Sequence, residues 1–164
     1  MTNPKHILNI NSLEYQGFPG GYPDHVKEKY EGTVMGQAGR MLGSKKLGFN
    51  VTKIPPGKRA FPMHNHHINE ELAFVLKGCG ELRLGAERHA ISAGDFVFLP
   101  PGGPELAHQI INTSDAELVL LAFSSKETPE FVEYPDSKKF GFMSPSGFRH
   151  VGRMDEGLGY WDGE

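Results

Sequence analysis

Along most of this chain, apolar and polar residues alternate in short runs and do not recur at helical spacing. From Lys46 onward, Leu47, Phe49 and Val51 sit between polar neighbours, the period of a half-buried strand. Pro55-Pro56-Gly57 then breaks the run. Further short apolar runs follow at 71–76, 81–84, 89–91, 96–99, 108–111 and 117–124. Turn-forming residues separate them: Gly78 and Gly80, Gly85-Ala86, Ala93-Gly94-Asp95, the stretch 100–104, and the stretch 112–115. No helical pattern intervenes, so successive strands are expected to pair antiparallel. The pattern predicts an all-β fold, an antiparallel barrel or double-sheet jelly roll.

The two ends read differently. Residues 1–45 carry Gly17, Gly20, Gly21, Gly32, Gly36 and Gly39 with little periodicity. They predict an N-terminal arm wrapped on the core, with a helical turn near 24–30 and a strand around 33–37. Residues 46–126 form the expected barrel. Beyond it, Tyr134-Pro135-Asp136-Ser137, Gly141, Pro145 and Gly147 read as turns, so 127–164 is expected to be an irregular tail.

Composition narrows the function classes. A chain of 164 residues suits one domain, and its 21 glycines and 12 prolines suit many short elements joined by tight turns. A net charge of -3 and a pI near 6.2, with basic residues scattered, exclude a general attraction to nucleic acid or to an anionic membrane. The most apolar stretch, 118–123, is too short to span a bilayer, and the opening MTNPKHILNI lacks the apolar core of a signal peptide. Cys79 is the single cysteine, so no intrachain disulfide can form and a cytoplasmic home is expected. It lies between two glycines, which suits a tight backbone better than a nucleophile.

The candidate chemistry lies in the histidines. His64 and His66 are two apart, so on a strand they point the same way while His67 points outward. Glu71 opens the next strand and shares its face with Ala73 and Val75; His108 begins a later strand. Three imidazoles and a carboxylate would suit one divalent first-row metal ion (Zn, Mn, Fe or Ni), with positions left for water or substrate. Taken alone, His64-Asn65-His66-His67 fits a solvated loop equally well.

The stretch from Gly57 through His64, His66 and Glu71 to Gly78 resembles the first motif of the cupin superfamily. Gly94, Pro100, Gly102, His108 and Asn112 are similar to its second. The gap from Gly57 to His64 is one residue longer than the family pattern, and that from Gly102 to His108 three longer; both insertions fall in loops. The resemblance implies that His64, His66, Glu71 and His108 are metal ligands. Glu70 competes for the carboxylate role, but the spacing to Gly78 favours Glu71.

It further implies a homodimer and a small-molecule ligand or substrate. The wider text is similar to small bacterial single-domain cupins of unassigned function. The first expectation is a metal-dependent isomerase or epimerase for a small polyhydroxylated or sugar-phosphate substrate. A metal-dependent dioxygenase and a non-catalytic ligand-binding module are the alternatives, and no catalytic residue is assigned.

Other residues have plainer roles. Asn112 is expected to steady a turn, Gln109 to lie on the surface, and Lys58, Arg59 and Arg83 to be solvated charges. Leu72, Phe74 and Leu76 face away from Glu71, so that second apolar face needs cover from the arm, the tail or a partner. Phe140, Phe142 and Phe148 are candidates to supply it.

Overall fold

The computed structural model describes residues 6–164; the first five residues of the expected arm, and with them half of the MTNPKHILNI opening, lie outside the described residues. The strands are antiparallel throughout. Strands β1 (Val34–Gly36), β2 (Leu47–Ile54), β4 (Glu71–Lys77), β7 (Phe96–Leu99) and β9 (Leu118–Ser125) make one sheet in the order β1-β2-β9-β4-β7. Facing it, β5 (Cys79–Leu84), β6 (Glu87–Ser92) and β8 (His108–Ile111) make a three-stranded sheet in the order β6-β5-β8. Side chains from both sheets interdigitate in one core of Ile54, Ala73, Val75, Leu82, Ile91, Val97, Leu99, Ile110, Leu118 and Leu120. This is the double-sheet jelly roll expected from the alternation: odd positions of β4 and even positions of β9 turn inward.

Local chemistry fixes the corners. Gly78 has φ 82° and a Cβ there would meet the Glu117 carbonyl oxygen at 2.6 Å, so only glycine lets β4 turn into β5. Cys79 is accordingly the exposed first residue of β5. Fully buried Asn112 ties the 112–116 turn: its Nδ2 donates to the carbonyls of Ile54 (2.8 Å) and Ala116 (2.7 Å), and its Oδ1 accepts from the Ser114 amide and hydroxyl.

The arm runs through helix α1 (Asp24–Tyr30), strand β1 on the edge of β2, and helix α2 (Ala38–Met41). It packs Leu13 on Val51 and Val119 of the outer sheet face, with Leu8, Tyr15, Ala38 and Leu121 around them. The arm therefore covers only part of that face.

Residues 127–164 depart from the irregular tail expected of them. They supply β10 (Glu130–Tyr134), β11 (Lys139–Met143) and β12 (Arg149–Arg153), a meander whose β10 pairs with the short β3 (Asn65–His66). Pro135 and Pro145 mark the turns of this meander; they read as breakers because their flanking runs are only five residues long. Phe140 stacks on Phe131 within this sheet (centroids 5.4 Å apart) and Phe148 is exposed. The outer face of β4 and β7 thus keeps Phe96 and Phe98 exposed.

Candidate metal centre

The second sheet's mouth brings the histidines together. His64 and His108 exchange two backbone hydrogen bonds, His64 N to His108 O at 3.1 Å and His108 N to His64 O at 2.7 Å, so their side chains share a face and their rings lie 4.6 Å apart. His66 follows on β3, its ring 5.2 Å from that of His64. Glu71 opens β4, paired with Leu99 on one side and Ser124 on the other. His64, His66 and Glu71 each offer a ligand atom within 4.8 Å of the others. His108 joins through Glu71: its Nε2 lies 3.0 Å from Oε2.

The hydrogen-bond pattern shows which ring atoms face the carboxylate. The Nδ1 atoms of His64 and His108 lie 2.9 and 3.2 Å from the carbonyl oxygens of Pro62 and Leu106. A carbonyl only accepts, so both rings carry a proton on Nδ1, and Nε2 either carries a second proton toward Glu71 or offers its lone pair to a metal ion. Those Nε2 atoms face Glu71 Oε2 at 3.6 and 3.0 Å, and His66 Nε2 faces Oε1 at 3.6 Å. Lone pairs pointing at a carboxylate require a cation between them, either added protons or a metal ion. The donor set fits a divalent metal.

Electrostatics pull the same way. Burial opposes the Glu71 charge, but hydrogen bonds from His108 and His64 and the charge of nearby histidines hold the carboxyl well below the ordinary carboxylate range. Burial pushes His66 below the usual imidazole value, only partly offset by Glu71. An ionised carboxylate and a neutral imidazole are the forms that bind metal.

Neighbouring residues separate cleanly. Glu70 is exposed, with its amide on the Ser125 hydroxyl. His67 turns away, its Nε2 3.1 Å from Glu133 Oε1 and its ring against Phe131. Lys58 Nζ is held by the Glu28 carbonyl, and Arg83 forms a forked pair with Asp136 at 2.6 and 2.9 Å. Gln109, expected on the surface, is buried: α1 lies over it, and its Nε2 donates to the Phe61 carbonyl (2.6 Å) and the Tyr30 hydroxyl (3.3 Å).

Two residues of the C-terminal meander complete the site. Glu130 is buried and accepts from the backbone amides of His67, Ile68, Asn69 and Phe131 at 3.0–3.2 Å, and from the Asn69 side chain. Its Oε2 also lies 3.4 Å from His66 Nδ1, within ion-pair reach though outside hydrogen-bonding geometry. Glu130 thereby fixes both the loop after His66 and the environment of that ring. Tyr134 stacks on His64 (centroids 6.2 Å, planes 23° apart), and burial together with the Glu71 charge raises its phenol above the ordinary value.

A small cavity of about 60 Å³ adjoins the centre, lined by His64, Glu71, His108, Gln109, Thr52 and Phe61. Through Thr52, Ala60 and Phe61 it abuts an apolar chamber of about 240 Å³ beneath the arm.

The fold is a small β-barrel with a cluster of histidines and a glutamate at its mouth that could hold a metal ion. Residues 50–124 match the cupin domain family. An uncharacterized protein from Methanocaldococcus jannaschii is 31% identical over 84 residues, 49% of this chain and 64% of that protein. The chain spans less than two thirds of the length of the curated relatives it matches.

Among solved structures, a provisionally assigned sugar phosphate isomerase from Acidithiobacillus ferrooxidans superposes with a TM-score of 0.78 at 25% identity, over 94% of this chain and 96% of that one. A cupin-superfamily sugar phosphate isomerase from Silicibacter pomeroyi gives 0.80 at 24% identity, over 95% and 98%, a likeness of fold alone. No helix among the described residues is long and apolar enough to cross a membrane.

Proposed function

We propose that this chain is a metal-dependent isomerase for a small sugar-phosphate-like substrate, with His64, His66, Glu71 and His108 holding one divalent first-row metal ion. The carrying observation is the convergence of three imidazole Nε2 atoms on the Glu71 carboxylate, with the Nδ1 protons of His64 and His108 committed to backbone carbonyls. The isomerase class is supported by likeness to the Acidithiobacillus ferrooxidans protein over nearly the whole of both chains.

A divalent cation in such a donor set supplies Lewis acidity toward a carbonyl or hydroxyl oxygen. The chain's own residues do the rest. Gln109, Thr52 and Phe61 narrow the cavity beside the centre and limit the water in it. Tyr134, against His64, keeps its phenolic proton at neutral pH and is the group to donate a hydrogen bond to a substrate oxygen. Two copies pair through the uncovered outer face of β4 and β7, where Phe96 and Phe98 are exposed.

Metal-loaded protein is expected to exchange solvent deuterium into one member of a panel of aldose and ketose phosphates, and Tyr134→Phe to slow that exchange. No incorporation with Zn, Mn, Fe or Ni across the panel overturns the isomerase reading. Absence of bound metal after reconstitution overturns the ligand set.

A further inference from the structure

Four cationic side chains that are far apart in sequence meet at one cleft. Arg40 of α2, Lys45 before β2, Lys126 just after β9 and Arg149 at the start of β12 line an open cleft of about 620 Å³. No aspartate or glutamate lines it, and none of the four forms an ion pair with a carboxylate among the described residues. The one hydrogen bond recorded for these groups is Lys126 Nζ to the Ser44 carbonyl, at 3.5 Å. In a chain whose net charge is -3, four unneutralised cations around one concavity make a local positive field that draws anions.

The cleft lies two strands from Glu71 in the same sheet. Gly48 lines it; Gly48 is the register partner of Ser124 on β9, and Ser124 is the partner of Glu71 on β4. Two strand spacings are about 10 Å. Asn50 also lines the cleft and accepts a hydrogen bond from the hydroxyl of Thr52 at 2.8 Å, and Thr52 lines the cavity that contains His64, Glu71 and His108. Gly48 serves this geometry, because a Cβ there would lie 2.3 Å from the Ser124 hydroxyl. Asn50 and Thr52 thus link the lining of the cationic cleft to the lining of the cavity that holds Glu71.

We infer that this cleft is the phosphate subsite: Arg40, Lys45, Lys126 and Arg149 hold the phosphomonoester end of a small substrate whose oxygenated end reaches Glu71 and the histidines. The assignment rests on the isomerase reading for its substrate. The affinity for the phosphate group stands on the cleft alone. A phosphomonoester dianion gains charge-assisted hydrogen bonds from Arg and Lys that a neutral sugar does not.

Calorimetric titration with a hexose 6-phosphate, the free hexose and inorganic phosphate tests this on the intact chain. The sugar phosphate and inorganic phosphate are expected to bind, the free hexose to bind at least tenfold more weakly than its phosphate ester, and added salt to weaken the first two. The pair Lys126→Glu with Arg149→Glu is expected to lower phosphate affinity at least tenfold. Arg40→Glu with Lys45→Glu, in different elements, serves as the independent second pair.

All four side chains are exposed, so circular dichroism is expected to stay that of the parent. His64→Ala with His108→Ala abolishes metal binding on the isomerase reading yet leaves the inorganic phosphate isotherm in place. Phosphate affinity unchanged in both charge-reversed pairs, or no phosphate binding by the parent, overturns the subsite. Phosphate binding without deuterium exchange overturns the isomerase reading alone.

Discussion

The centre turns on which atom of each histidine is free. Because Pro62 and Leu106 carbonyls claim Nδ1 of His64 and His108, their Nε2 atoms are available to a cation before any cation arrives. His64→Ala, His66→Ala and His108→Ala are each expected to remove most bound metal, measured by plasma emission after dialysis, while His67→Ala retains it. Glu130→Gln is the more informative change. It keeps the shape but removes the charge that four amides and His66 Nδ1 face, and a loss of about 10–100-fold in metal affinity is expected, the usual cost of disturbing a ligand's outer partner. Unchanged metal titration of this variant would remove Glu130 from the site.

The same shifts set a pH dependence for chelator-treated protein. Glu71 and His66 both have folded values below their unfolded ones, 4.5 and 6.5, so each contributes stability that is fully present above its unfolded value and lost as pH falls through the folded one. Urea midpoints of the metal-free chain should therefore begin to fall below about pH 6.5 and fall further below about pH 4.5. His66→Ala should flatten the first of these two regions.

At the scale of elements, legibility followed period and separation. Strands 96–99 and 108–111 are legible to the residue because each is a short run set between turn-forming stretches, 93–95, 100–104 and 112–115. The spacing to Gly78 favours Glu71 over Glu70, and in the structure Glu71 lies with His64 and His66 while Glu70 is exposed and His67 faces Glu133. The C-terminal meander was not legible, since each of its strands is five residues long and gains its stability from pairing with β3, more than sixty residues earlier. Glu130 and Tyr134 were invisible for the same reason: each acquires a role only when β10 docks beside His66.

Gln109 was placed on the surface because alternation reports which face a side chain takes and is silent on what later covers it. Arg83 and Asp136 pin the turn between β10 and β11 onto β5. Asp136 is held below its ordinary value by its hydrogen bond from Arg83, so this stabilisation is present above about pH 3.8 and lost as pH falls through the folded value. The pair is solvent-screened, so Asp136→Asn should cost at most about 1 kcal/mol at neutral pH, measured by urea unfolding. Below the folded value the cost should vanish. A larger loss at neutral pH would mean that the turn is anchored by more than this pair.

At the scale of the whole molecule, the unresolved demand of the sequence is the second face of β4. The arm covers Val51 and Val119, and the meander packs on itself, so Leu72, Phe74, Phe96, Phe98 and Phe123 remain as adjoining rows: Leu72 opposite Phe98 and Phe123, Phe74 opposite Phe96. Phe96 is 72% exposed and Phe98 57%. A contiguous apolar surface of aromatic rings is a place for association. The dimer proposed above would place a second copy there, since an aromatic patch can be complementary to itself across a two-fold axis. The consequence reaches the site, since the opposite face of β4 carries Glu71, and a sheet held from behind fixes the strand that presents the carboxylate. Phe96→Asp with Phe98→Asp should give a folded monomer by sedimentation equilibrium under conditions where the parent is a dimer, with far-ultraviolet dichroism unchanged. Its metal affinity should also fall, because β4 loses its backing. A parent chain that sediments as a monomer throughout would leave the face without its occupant and overturn the dimer.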